Sequence, residues 1–258
     1  MTKKIIKESG WQLSLKQAFF INGIIRKFKP KNCLEIGVAN GGSSILILNA
    51  IKDIKDSILV SLDLNTKLYL DSTKKTGYRV KKFFFELTKN WILFTGDMPS
   101  KFLDKLNIKF DFLFLDSSHI SPGEFLNIIE ALPFLNENAI VILHDIMWQM
   151  YKTDKHGKLK KISSTQNYLF STLFGDKLII RGKNDIINIG AVFLYKNQKK
   201  HYLDYFFLLM NYWEYMPSLT QINDLKIFIK KYYKKEIYLK IFEDSVLYNK
   251  NKKIRIEY

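Results

Sequence analysis

A single cysteine, Cys33, stands among 258 residues, so the chain can form no intramolecular disulfide and no multi-cysteine zinc site. Arginine is nearly as scarce, confined to Arg26, Arg79, Arg181 and Arg255. The formal charge of +16 therefore comes almost entirely from lysine. Isoleucine, asparagine, phenylalanine and tyrosine are abundant alongside lysine, the joint bias that an AT-rich coding sequence produces whatever the function. Base and phosphate readers favour arginine forks, so nucleic acid is not the expected partner. No run approaches the roughly 20 apolar residues of a membrane-spanning helix. Lys3 and Lys4 are not followed by an apolar stretch, so no signal peptide is expected and a cytoplasmic location is. No internal repeat or low-complexity segment breaks the chain. Apolar residues make up 47%, enough for one α/β domain with a full core plus an extension.

What is present is concentrated between Cys33 and Ser44. Cys33, Leu34 and Ile36 form a short apolar strand, Gly37, Gly41 and Gly42 open a turn, and Ser43 begins a helix. Strand, glycine turn and helix start make a nucleotide-binding corner: glycine admits close approach, and the helix start offers free N–H donors. A plain βα turn would read the same way. The dinucleotide fingerprint G-x-G-x-x-G is not met, because Ala39 stands where its second glycine would admit phosphates. Glu35, just before the turn, would repel a diphosphate and suit a cationic ligand.

Further strands are expected at 58–63, 91–94, 110–115 and 139–143, with a closing pair at 177–181 and 190–195. An amphipathic helix over 14–29 precedes the corner, its spacing carried by Ile21, Ile24, Ile25 and Phe28, and Pro30 stops it. Core packing is the expected use of Trp11 and Phe19, with a substrate entrance the alternative. Residues 64–90 are read as a polar loop and one basic, aromatic helix over 78–87. Asp63 ends the second strand 21 positions beyond Gly42, near the ~20-residue spacing at which an acid reaches a ribose; capping a turn is the alternative. Asp97, after the third strand, is read as the N-cap of a helix starting at Met98-Pro99, as a cofactor contact, or as both, since the two roles are compatible. The fourth and fifth strands end in Asp116-Ser117-Ser118-His119 and His144-Asp145. Neighbouring strand ends in a doubly wound sheet share one crevice, which brings Asp116, His119, His144 and Asp145 together. Residues 122–133 and 164–174 are read as helices, and the polar, lysine-rich stretch 151–161 as a flap.

The corner resembles motif I of the class I S-adenosylmethionine-dependent methyltransferases, and the Asp-x-x-His and His-Asp pair resembles a bacterial O-methyltransferase-like branch. That resemblance covers about residues 30–197. It implies a doubly wound, mostly parallel seven-stranded Rossmann-like sheet with an antiparallel closing strand over residues 1–198. It implies S-adenosylmethionine as cofactor, held by Glu35, Gly37, Gly41, Ser43, Asp63, Asp97 and Asp116: Glu35 and Gly37 at the methionine part, Asp63 at the ribose, Asp97 at the adenine. It implies His119 as general base, with His144 as second choice, and Asp116 and Asp145 as carboxylate ligands of Mg²⁺ or another divalent cation. Ile146 departs from the family, which places an asparagine ligand there. The acceptor implied is a hydroxyl on a sugar, glycan or other small molecule. An RNA methyltransferase using the lysine surface, a nicotinamide oxidoreductase and a non-catalytic binding module remain as alternatives.

Residues 199–258 change character. Tyr202, Tyr205, Phe206, Leu209 and Trp213 are read as the apolar face of one helix, and Leu225, Phe228, Ile229 and Tyr232 as that of another, opposite Lys226, Lys230, Lys231 and Lys234. The expected role is a helical extension covering its own domain; an oligomer face or a basic surface for a membrane or anionic glycan is the alternative.

Overall fold

The computed structural model describes residues 3–9, 13–147, 165–180 and 188–251. Trp11, the stretch 151–161 and Arg181 lie outside them. In chain order the elements are α1 (Lys3–Ser9), α2 (Leu15–Phe28), β1 (Asn32–Ile36), α3 (Gly42–Ile51), β2 (Ile58–Asp63), β3 (Lys67–Leu68), β4 (Asp71–Lys75), α4 (Tyr78–Phe83) and β5 (Trp91–Thr95). There follow α5 (Pro99–Leu106), β6 (Phe110–Leu115), α6 (Gly123–Ala131), β7 (Leu135–His144), α7 (Thr165–Thr172), β8 (Gly175–Ile179) and β9 (Ile189–Leu194). The chain continues through α8 (Tyr202–Phe207), α9 (Leu219–Tyr233) and α10 (Glu236–Asn251). Seven strands form one sheet in the order β5-β2-β1-β6-β7-β9-β8. β5, β2, β1, β6 and β7 run parallel, and β9 closes antiparallel to β7.

Strand alternation divides the core. Leu34, Ile36, Val60, Leu62, Leu113, Leu115, Val141 and Leu143 face one side, with α5, α6 and the C-terminal helices. Cys33, Leu59, Phe112, Phe114, Ile140 and Ile142 face the other, with α1, α2 and α3. Covering both faces is what lets these strands be apolar throughout. Residues of α8, α9 and α10, among them Tyr205, Phe206, Leu225 and Phe242, belong to the same buried cluster as the sheet.

Several elements differ from the sequence reading. The polar stretch after Asp63 is a small antiparallel hairpin, β3–β4, whose largely exposed residues show no apolar alternation. The helix expected over 78–87 is α4 followed by a 3₁₀ turn over Phe85–Asn90. The helix expected through Trp213 stops after a 3₁₀ turn at Met210, where the Asn211 side chain bonds the Leu208 carbonyl. Trp213 is still fully buried, its indole donating to the Leu209 carbonyl. Part of the lysine face is paired: Lys231 with Asp104 at 2.6 Å and Lys226 with Glu243 at 2.8 Å.

Asp97 is not the N-cap of α5. Met98 holds that position without a side-chain bond, and Glu130 of α6 accepts from the Ser100 backbone N–H at 2.9 Å. Glu130 is completely buried and one of its oxygens has no hydrogen-bond partner. Burial raises its pKa from 4.5 to about 7, with bonds from Ser100 and Asn127 opposing. The folded chain therefore holds a proton that the unfolded chain releases above pH 4.5, and stability is lost as pH rises through that window to about 7. Glu130→Gln should come closest to the parent at pH 4 and gain on it by pH 8, by as much as about 3 kcal/mol. Urea unfolding at the two pH values measures this, and an equal difference at both would remove the protonation account.

Candidate active site

The site begins where β1 meets β6, the point at which strand order reverses and ligand crevices form in open α/β sheets. Gly37 has φ +93°, and a Cβ there would lie 1.9 Å from the backbone oxygen of Asp116. Only glycine lets the two strand ends run this close. The turn is then fastened from the next strand. Asp63 accepts from the Val38 and Ala39 N–H groups through one oxygen, each at 2.9 Å, and from the Asn65 N–H through the other at 2.8 Å. The capping role weighed for Asp63 is thus realised, and the same residue also faces the crevice.

The crevice is an open hollow of about 540 Å³, within the roughly 300–1,000 Å³ typical of ligand pockets. Its walls include Gly37, Ser43, Asp63, Asp97, Asp116 and His119 of the residues picked out from sequence. No lysine or arginine lines it among the described residues, although the chain carries 41 of them. Glu35 and Gly41 do not reach it. Gly41 caps α3 with φ +93°. Glu35 points to the opposite face of the sheet, as alternation from Ile36 requires, and is fully buried. One of its oxygens accepts from Ser44 at 2.6 Å and Ser61 at 2.5 Å, which ties β1 to α3 and β2. Burial raises the Glu35 pKa to about 7 against those serine bonds.

The two histidines also separate. His144 lies on the same far face as Glu35, 96% excluded from solvent, and does not line the hollow. It meets Asp116 from beneath, Nδ1 to Oδ1 at 3.2 Å. His119 lines the hollow in a left-handed turn, φ +59°. Its Nε2 lies 3.2 Å from Asp145 and 3.4 Å from Asp116. On the other ring edge stand Glu124 and Gln166, the latter's amide nitrogen 2.6 Å from Nδ1. The fully buried Glu124 also accepts from the His119 backbone N–H, from Thr165 at 2.7 Å and from Gln166 at 2.5 Å.

Charge follows from this packing. Burial alone would lower the His119 pKa, but Glu124, Asp116 and Asp145 push it up to about 9. His144 is likewise raised against burial by Asp116 and Asp145. Burial would raise Asp116, yet the two histidines hold it below the usual carboxylate range. Asp145 is raised by burial, partly offset by the histidines. The expected base is thus an imidazolium at neutral pH, held so by all three carboxylates.

Ligand atoms of Asp116, His144 and Asp145 all lie within 4.8 Å of one another, the one group of three among the described residues suited to a metal ion. The Ile146 side chain is buried and offers no ligand atom, while Asn188, just before the neighbouring strand β9, donates to Asp145. Sequence reading missed Glu124, Gln166, Asn188 and Tyr215, which also lines the hollow.

Residues 34–146 match the model of a methyltransferase domain family. No curated protein matches the chain in sequence. Among solved structures, the O-methyltransferase TomG of Streptomyces achromogenes, in complex with SAM, is 15% identical with a TM-score of 0.56, covering 76% of this chain and 91% of its own. The O-methyltransferase of Bacillus cereus, in complex with SAH, is 16% identical with a TM-score of 0.55, over 74% and 89%. The SAH-bound methyltransferase PaMTH1 of Podospora anserina is 18% identical with a TM-score of 0.54, over 76% and 89%. The sheet, with its antiparallel closure, is the Rossmann-like fold of the class I methyltransferases.

Gly37→Ala should place a methyl group against the Asp116 carbonyl in a left-handed backbone region, at a cost of at least about 2 kcal/mol. Chemical denaturation measures this, and an unchanged midpoint would show that the two strand ends can part without penalty.

Proposed function

We propose that this chain, which carries a methyltransferase domain over residues 34–146, moves a methyl group from S-adenosylmethionine to a hydroxyl oxygen of a small-molecule acceptor. The observation that carries the reading is the sign of the hollow. Asp63, Asp97 and Asp116 line it and no described lysine or arginine does, in a chain of net charge +16. A diphosphate would meet three carboxylates with no basic side chain opposite, whereas a sulfonium or ammonium meets its complement. The nicotinamide alternative loses on that ground and on the closing antiparallel strand.

S-adenosylmethionine supplies a methyl group already activated on positive sulfur, so alignment and proton removal are left to the protein. Asp63 would accept from the ribose hydroxyls with the acceptor capacity left beside its three N–H bonds. Asp97 would take the adenine amino group, and Gly37 and Asp116 the methionine part. Holding acceptor and donor in line accounts for up to about 7–11 kcal/mol in well-oriented systems. His119 is the proton acceptor by position: it lines the hollow, and Glu124 and Gln166 support its far edge. Against burial, Glu124, Asp116 and Asp145 raise its pKa. Neutralising the two aspartates would remove their share, leave that of Glu124, and bring the ring closer to acting as a base at neutral pH.

A divalent cation fits that requirement. Asp116 and Asp145 carboxylates with the His144 ring nitrogen would hold it, a mixed oxygen and nitrogen set that suits Mn²⁺ or Zn²⁺ as well as Mg²⁺. Such an ion lowers the pKa of a bound hydroxyl. The sugar or glycan acceptor weighed from sequence remains within this reading.

Asp63→Ala should weaken S-adenosylmethionine binding at least tenfold by calorimetry, while His119→Ala should keep that affinity and lose about 10²–10⁴-fold in turnover. Full turnover in the histidine variant would remove His119 as base. If an ion completes the site, Mn²⁺ should raise activity after chelation, and Asp145→Asn should abolish that response; activity indifferent to chelation would exclude the metal-assisted form.

A further inference from the structure

The chain segment between α8 and α9 does more than cover the sheet. Its Glu214 and Tyr215 N–H groups donate to the Ser121 carbonyl at 2.8 and 3.3 Å, and the Glu214 carboxylate accepts from the Ser121 N–H at 2.9 Å. Three bonds therefore pin a strap from the C-terminal region to the loop that follows β6, the loop carrying His119. Pinned there, the strap sends Tyr215 and Pro217 into the wall of the hollow, joined by Gln221 from the first turn of α9. Gly123 makes the room: a Cβ at that position would lie 1.9 Å from the Ser118 hydroxyl oxygen and 3.2 Å from the Tyr215 hydroxyl oxygen. The two hydroxyls thus converge over the start of α6, on the His119 side of the hollow, while Asp63 and Asp97 belong to the ends of β2 and β5.

Resting on the methyltransferase reading, we infer that this strap is the acceptor-selecting wall, with Tyr215 its main specificity residue, and that the acceptor is an uncharged hydroxylated ring. Several features of the wall fit such a ring. The Tyr215 and Ser118 hydroxyls bond each other and keep acceptor lone pairs for a ligand hydroxyl, and Leu126, Ile120 and Pro217 offer apolar contact. A phosphorylated acceptor would enter beside Asp116 with no lysine or arginine among the described lining residues to receive it. An aromatic ring with a polar tip can pack on the face of a sugar or phenol ring and bond its hydroxyl. Sugar and phenol share that chemistry, and the experiment below separates them.

The full chain is first titrated with S-adenosylmethionine by calorimetry. It is then saturated with it and offered catechol, methyl glucoside or glucose 6-phosphate, with release of S-adenosylhomocysteine as readout. Turnover of catechol identifies the phenol class, turnover of methyl glucoside the sugar class, and glucose 6-phosphate is not turned over. Tyr215→Ala raises the acceptor KM at least tenfold, and Tyr215→Phe, which keeps the ring and its packing, raises it several-fold. In both variants affinity for S-adenosylmethionine stays within twofold of the parent. Preference for glucose 6-phosphate, turnover of none of the three probes, or an unchanged KM in both variants overturns the inference while leaving cofactor binding standing. Failure of the parent chain to bind S-adenosylmethionine overturns the methyltransferase reading, and this inference with it.

Discussion

The contact on which this molecule turns is one between two backbones. Gly37 and the Asp116 carbonyl approach so closely that no side-chain carbon fits between them. That approach fixes the ends of β1 and β6 side by side and makes a crevice of what would otherwise be two independent loops. Asp63 then holds the turn from the β2 side through two N–H groups, so three strand ends become one rigid rim. Ligand recognition by such a rim needs little reorganisation, because its polar groups are already held by the fold.

Around the rim, charge is sorted by depth. Lysines occupy the surface, some paired with carboxylates in bridges that contribute little to stability. Carboxylates occupy the interior: Glu35 under the turn, Glu124 behind His119, Glu130 at the start of α5, and Asp116 between the two histidines. Glu35 and Glu130 are held partly protonated near neutral pH by burial. Burying an acid without a full set of donors costs stability, and Glu35 and Glu130 each keep one oxygen without a hydrogen-bond partner.

Much of the fold was readable from the chain. The apolar runs at β1, β2, β6 and β7, the glycine turn and the strand-end acids gave the sheet and its crevice. The hairpin β3–β4 was not readable, because its exposed, charged residues carry no period. Glu35 and His144 do not line the hollow for a reason the sequence contained: each sits one residue from an apolar neighbour on the crevice face, and so points the other way, although His144 still meets Asp116 and Asp145 as expected. Glu124 and Glu130 had a signal too, two acids in a mostly apolar helix that is buried on nearly every side. Tyr215 had none, since its place depends on Ser121, 93 positions before Glu214 in the chain.

The bonds at Ser121 join two regions whose histories need not run together. The rim at Gly37, Asp63 and Asp116 is built from adjoining strand ends and tolerates almost no change in shape. The opposite wall is lent by a late stretch of chain held to the β6 loop at Ser121, partly through the Glu214 carboxylate, and anchored beside it by the buried Trp213. Substitutions there could retune which molecules are accepted while the rest of the machinery stays as it is, which makes diversification of this scaffold a matter of a few residues near its C-terminal end.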